Sequence, residues 1–81
     1  MNVSKWALLK VSDGDRGANG KQKVYEIRVE GNKVVFEWGM AEKAVRQTKV
    51  EYFGSEGAAR QAALTKVWDK TATGYRVAYS V

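Results

Sequence analysis

The residue pattern of this 81-residue chain predicts an α+β fold, an antiparallel β-sheet of about five strands with one α-helix packed on one face. Three observations predict it. Residues 23–30 and 33–38 each alternate apolar and polar side chains and are separated by Gly31-Asn32, the mark of a tight hairpin. Residues 55–72 carry an apolar stripe at helical spacing, with an N-capping serine before it and a glycine after it. Residues 75–80 return to alternation.

Taken in order, Lys5–Val11 is apolar-rich and reads as a first strand. Ser12–Gly20 is dense in Gly, Asp and Asn and reads as a loop. In Lys23–Glu30, Tyr25, Ile27 and Val29 point one way and Glu26, Arg28 and Glu30 the other. In Lys33–Trp38, Val34, Phe36 and Trp38 share a face. Met40–Gln47 reads as a basic loop, and Thr48–Phe53 as a fourth strand with Val50 and Tyr52 on one side. Ser55 is a fitting N-cap, Glu56 and Lys70 suit the two ends of the helix dipole, and Gly74 supplies the left-handed residue that ends the helix. Ala59, Ala62, Ala63 and Val67 form its buried stripe, with side chains small enough to bring the helix close to the sheet. Trp68 falls roughly 100° or more off that stripe. Its ring either folds back over the sheet edge or stands out for a partner. Tyr75, Val77 and Tyr79 are expected on one face of the last strand. Residues 1–81 read as a single domain without repeats, low-complexity tracts or a linker.

Composition narrows the chemistry. A chain this short buries only about 60–65% of the surface its unfolded form exposes, so a surface site suits it better than a deep pocket. With no cysteine there is no disulfide, zinc–thiolate site or thiol nucleophile. With no histidine, serine–histidine catalysis and histidine–metal chemistry are excluded, and an enzyme would need a tuned carboxylate, lysine or tyrosine in a buried cleft. Residues 1–11 lack the apolar core of a signal peptide, and no apolar run approaches the roughly 20 residues of a membrane span. The expectation is a cytoplasmic binding module that is not an enzyme, with no cofactor, no membrane contact and no small-molecule substrate.

The net charge of +5 would by itself serve solubility, but it is unevenly placed. Arg16, Lys21 and Lys23 stand between positions 16 and 23 with no acid among them, and Lys43, Arg46 and Lys49 face only Glu42 between positions 40 and 49. Elsewhere the charges cancel. Such clustering suits an anionic partner such as nucleic acid.

Other motifs carry less. Asp13-Gly14-Asp15 lacks the further oxygen ligands and closing glutamate of a calcium loop and reads as a turn. Gly14, Gly17 and Gly20 fit no phosphate-binding fingerprint, and no helix follows them. Trp6, Tyr25 and Tyr75 read as core. Trp38 ends a strand beside lysines, where an indole can either fill the core or stack on a sugar or base while cations hold phosphates.

Read in order, Trp6-Ala7-Leu8-Leu9-Lys10-Val11, Gln22-Lys23-Val24-Tyr25-Glu26-Ile27, Val35-Phe36-Glu37-Trp38-Gly39, Gln47-Thr48-Lys49-Val50 and Phe53-Gly54-Ser55 form an ordered set. Ala59, Ala63, Val67, Lys70 and Gly74-Tyr75 continue it in helix register. This set resembles the WGR domain, named for a Trp-Gly-Arg motif, over nearly the whole chain. WGR domains occur alone or fused in bacteria and in DNA-dependent poly(ADP-ribose) polymerases, where they bind DNA near a strand end. The resemblance implies an antiparallel sheet with one helix, and Trp38 and Gly39 at a DNA contact with the indole against a terminal sugar. Met40 stands where the family has arginine and cannot donate to phosphate; Glu42 and Arg46 stand where glycines are usual. Arg46 with Lys43 is expected to replace part of the missing charge.

The leading expectation is a non-enzymatic DNA-binding module for ends or breaks, as in DNA repair, using Trp38, Gly39, Lys21, Lys23, Lys43, Arg46, Gln47 and Lys49. Its binding would be weak and salt-sensitive, with a log–log slope of roughly −3 to −5. The alternative is a protein–protein interaction module in which Trp38 and Met40 form an adaptable apolar patch.

Overall fold

The computed structural model describes residues 4–11, 22–40 and 46–81. Asp13-Gly14-Asp15, the three spaced glycines, Arg16, Lys21, Glu42 and Lys43 lie outside the described residues. The elements run β1 (Lys5–Val11), β2 (Gln22–Glu30), β3 (Lys33–Met40), β4 (Gln47–Tyr52), α1 (Glu56–Ala72) and β5 (Arg76–Ser80). The strands form one antiparallel sheet in the order β4-β3-β2-β1-β5, with α1 against one face.

The hairpin between β2 and β3 forms as the sequence predicts. Glu30 pairs with Lys33 around a two-residue turn in which Gly31 has φ of 63°, a conformation that costs glycine little. Asn32 also anchors the chain beyond β4. Its side-chain amide donates to the Phe53 carbonyl at 2.9 Å, while its own carbonyl accepts from the Phe53 amide at 2.8 Å. The alternating register then places Trp6, Leu8, Tyr25, Ile27, Val29, Val34 and Phe36 on the helix side, as one core with Ala59, Ala63 and Val67. Ala62 is only half-buried, at the margin of that stripe.

Helix α1 starts and stops where its signals lie. The Ser55 hydroxyl accepts from the Ala58 amide at 3.1 Å, satisfying one of the donors left open at a helix start. At the other end the Lys70 carbonyl accepts from the amides of Thr73 and Tyr75, and Gly74 turns the chain at φ 108°. Ala59 and Ala63 have no exposed surface, and their small side chains pack directly on the core side chains of the sheet. Trp68 is 72% exposed and does not fold back over the sheet.

Two expectations are corrected. β3 does not end at Trp38: Gly39 pairs with Val24 and Met40 with Lys23, so Trp38-Gly39-Met40 is strand, not the mouth of a loop. Hydrogen bonding to β2 outweighs the poor strand preference of glycine. Similarly, Gln47 opens β4 opposite Trp38 and belongs to no loop. The second correction concerns β5. Leu8 pairs with Val77 but Ala7 with Tyr79, so a bulge at Ala78 breaks the alternation. Tyr75 and Val77 stay on the helix side while Tyr79 turns to the far face, where the Lys5 ammonium lies 5.8 Å from its ring centroid.

Among the described residues no helix is long and apolar enough to cross a membrane. The close seating of α1 makes a direct prediction. Ala63→Leu, which inserts three carbons where no space remains, will destabilise the fold by about 1–3 kcal/mol, seen as a lower urea midpoint at unchanged m. An unshifted midpoint would show that the helix does not depend on that close approach.

Candidate functional site

Tyr25 is the hub of the site. Its ring stacks on Trp38, with centroids 5.7 Å apart and planes 15° from parallel, and meets Tyr75 edge-on at 6.1 Å and Phe36 at 6.4 Å. The register produces this contact, because Tyr25 and Trp38 are cross-strand partners on the helix side. Trp38 is therefore half-buried: it packs against the core without being enclosed by it. Tyr75, expected in the core, is also half-buried. The helix stops short of this end of the sheet and leaves a notch of about 250 Å³ lined by Lys23, Trp38, Gly39, Met40 and Tyr75.

Cations gather on the same side. Strand parity puts Lys23 with Tyr25, Gln47 with Trp38, and Lys49 with Phe36. Lys49 is held by Glu51 at 3.1 Å. From the helix, the Lys70 ammonium stands 4.5 Å from the Tyr25 centroid and 5.7 Å from that of Tyr75. Lys66 stands 5.7 Å from Phe36. From β1, Lys10 lies 5.6 Å from Tyr75 and donates to the Thr73 carbonyl at 2.8 Å. Ammonium–ring contacts of this kind favour one placement of a long, flexible side chain.

The far face of the sheet is different. There Lys5, Arg28 and Lys33 are matched by Glu26, Glu30 and Glu37 in a network with separations of 3.3–3.9 Å. At this exposure such pairs add little stability. Their consequence is to cancel charge on that face. Lys10, Lys23, Lys66 and Lys70 have no carboxylate partner among the described residues.

Of the residues expected from sequence, Trp38, Gly39 and Lys23 meet at the notch, while Gln47 lies on β4 opposite Trp38 and Lys49 opposite Phe36. Arg46 immediately precedes β4, half-buried. Lys21 and Lys43 lie outside the described residues. A family model of the WGR domain matches residues 7–80.

The chain belongs to the WGR family. A WGR domain is a binding domain, not a catalytic one, and membership supports nucleic-acid binding at a general level. No curated protein and no solved structure gives a significant match.

In this WGR domain, sequence reasoning missed Lys10, Lys66 and Lys70, which stand over the rings of Tyr75, Phe36 and Tyr25. The four-residue spacing of Lys66 and Lys70 was a usable signal, since it puts both on one flank of a helix. Lys10 had none, because its approach to Tyr75 depends on how the helix end packs against β1 and β5.

The buried rings also respond to pH. Burial, then the nearby Tyr75 and Glu51, push the Tyr25 phenol above its ordinary pKa, and burial alone does so for Tyr75. Below the ordinary phenol range both groups are protonated in either state, and the fold is fully stable in this respect. As pH rises past that range the unfolded chain loses protons that the folded one keeps, so stability falls toward and through the raised values. Alkaline titration will therefore show late tyrosinate absorbance coupled to unfolding, and Tyr25→Phe with Tyr75→Phe will remove that coupling. Alkaline unfolding unchanged in the double variant would contradict this assignment.

Proposed function

We propose that this WGR domain binds DNA, with the strand terminus at the notch beside Trp38 and the surrounding cations on its phosphates. The observation that carries this reading is the half-buried indole, braced on one side by Tyr25 and bordering an open notch with Lys23 on its rim. A ring already held in place loses little freedom on stacking against a sugar or base, which favours binding. The ammonium groups supply affinity through the phosphates, and nothing among the described residues offers a base-reading helix to give sequence specificity.

Met40 occupies the rim where the family motif has arginine. It contributes an apolar wall but no donor to phosphate. Arg46 and Lys43 are proposed to restore part of that charge, Arg46 because it adjoins Gln47, the cross-strand partner of Trp38. The same Met40–Trp38 pair supports a second reading, in which the notch receives an apolar side chain of a protein partner.

Fluorescence anisotropy on a labelled, 5′-phosphorylated duplex at low and moderate salt tests the first reading. Wild-type protein will bind with a steep salt dependence. Trp38→Ala will lose about 1–3 kcal/mol, roughly 5- to 150-fold, with the salt slope unchanged because the ring is neutral. Affinity indifferent to Trp38→Ala would reduce the interaction to electrostatic adhesion, and no binding at low salt would favour a protein partner.

Arg46→Ala will make the salt slope shallower by about 0.9 if the guanidinium meets one phosphate. A variant that matches wild type at low salt would remove Arg46 from the interface.

A further inference from the structure

Three lysines that sequence reasoning left out, Lys66, Lys70 and Lys10, form an ordered row with Lys49. Lys49 projects from β4, Lys66 lies over Phe36 of β3, Lys70 over Tyr25 of β2, and Lys10 projects from β1. One cation thus accompanies each of four neighbouring strands on the helix side. With strands about 4.8 Å apart, the row spans about 14 Å. Lys66 and Lys70, four residues apart on the helix, are separated by about 6 Å along its axis. A nucleic-acid strand advances about 3.4 Å per base step, so the row matches roughly four steps.

Three of the four ammonium groups are positioned rather than free to wander. Lys66, Lys70 and Lys10 each stand within 5.7 Å of an aromatic centroid, and Lys10 is also hydrogen-bonded to Thr73. Their rings belong to the cluster that braces Trp38, so the row and the notch are parts of one packed unit. Glu51 offsets Lys49, and Asp69 is the other acid on this flank of the helix. On the far face Lys5, Arg28 and Lys33 already pair with glutamates, and Arg76 of β5 adds one further cation there.

We infer that Lys66, Lys70 and Lys10 form a phosphate track along the seam between helix and sheet, which carries the backbone of one nucleic-acid strand away from the Trp38 notch. The track rests on the DNA-binding reading and extends it from a terminal contact to a defined path over about four base steps. It also assigns the helix, as well as the strands and loops, a direct part in binding.

The test compares two double variants of equal charge on the same 5′-phosphorylated duplex. Lys66→Gln/Lys70→Gln removes two cations from the row, and Lys5→Gln/Lys33→Gln removes two from the far face. The first will weaken binding on the order of tenfold per lost contact near 0.1 M salt and make the salt slope shallower by about 0.9 for each. The second will leave the slope unchanged, and Lys66→Arg/Lys70→Arg will keep near wild-type binding. Circular dichroism checks folding; if the glutamine pair is unfolded, Lys66→Gln alone is read in its place. Wild-type binding that survives Lys66→Gln/Lys70→Gln with the same slope would overturn the track while the Trp38 reading stands. Equal losses from both pairs would overturn it as well, leaving only net charge. Failure of wild-type protein to bind the duplex at low salt would overturn the reading and the track together.

Discussion

The close seating of one helix on two strands governs this molecule. Ala59 and Ala63 contribute only methyl groups from α1 to the core it shares with β2 and β3, and Val67 completes the contact. Helix α1, 17 residues long, leaves Trp38 only partly buried at the margin of the core. Its last turns pass beside Tyr25, whose ring is gripped by Trp38, Phe36 and Tyr75 and capped by Lys70. Larger side chains at the alanine positions would lift the helix, separate Lys70 from Tyr25 and loosen the support behind Trp38. The proposed interface is therefore an outgrowth of core packing. It is the point where the core reaches the surface, which explains how a chain of this size presents a rigid aromatic site without sacrificing a deep pocket.

Strand parity sorts the charge. In β2 and β3 every glutamate falls on the far face, because each alternates with an apolar residue committed to the helix side. Lys5, Arg28 and Lys33 share that face and pair with them, while Arg76 of β5 adds one further cation. Lys10 and Lys23 have the opposite parity and lie among the aromatic residues. Lys66 and Lys70 join them from above. The result is a domain with a nearly neutral side and a positive one, although no stretch of sequence is strongly basic over its length. A one-sided field of that kind orients an anionic partner before contact. It also makes the interaction depend on ionic strength, since phosphate contacts exchange with salt ions.

Met40 sets this chain apart from the Trp-Gly-Arg pattern of its family. Because Met40 pairs with Lys23 across β2 and β3, the substituted side chain sits directly beside a cation at the notch. The rim keeps a positive charge there, but from an ammonium on the neighbouring strand and without a planar guanidinium fork. Lysine acts as a point charge where arginine can form two directed bonds. A notch built this way suits the attraction of phosphate better than the strict orientation of one phosphate oxygen pair.

The sequence by itself determined the elements, their order and the family. Local signals decide these: period-two alternation for the strands, Gly31-Asn32 for the hairpin, Ser55 and Gly74 for the helix ends, and the ordered motif set for WGR membership. It also named Trp38, Gly39 and Lys23 as candidates, from the clustering of charge and the resemblance to the family. Tertiary structure alone decided that β3 runs through Met40, since a strand continues wherever its neighbour offers hydrogen bonds. It alone moved Tyr79 to the far face, since a bulge is set by pairing with β1. And it alone brought Lys10, Lys66 and Lys70 to the rings around Trp38, because contacts between a helix and a sheet depend on docking angle and depth. Those quantities arise from packing volume across distant segments, and no local pattern of residues encodes them.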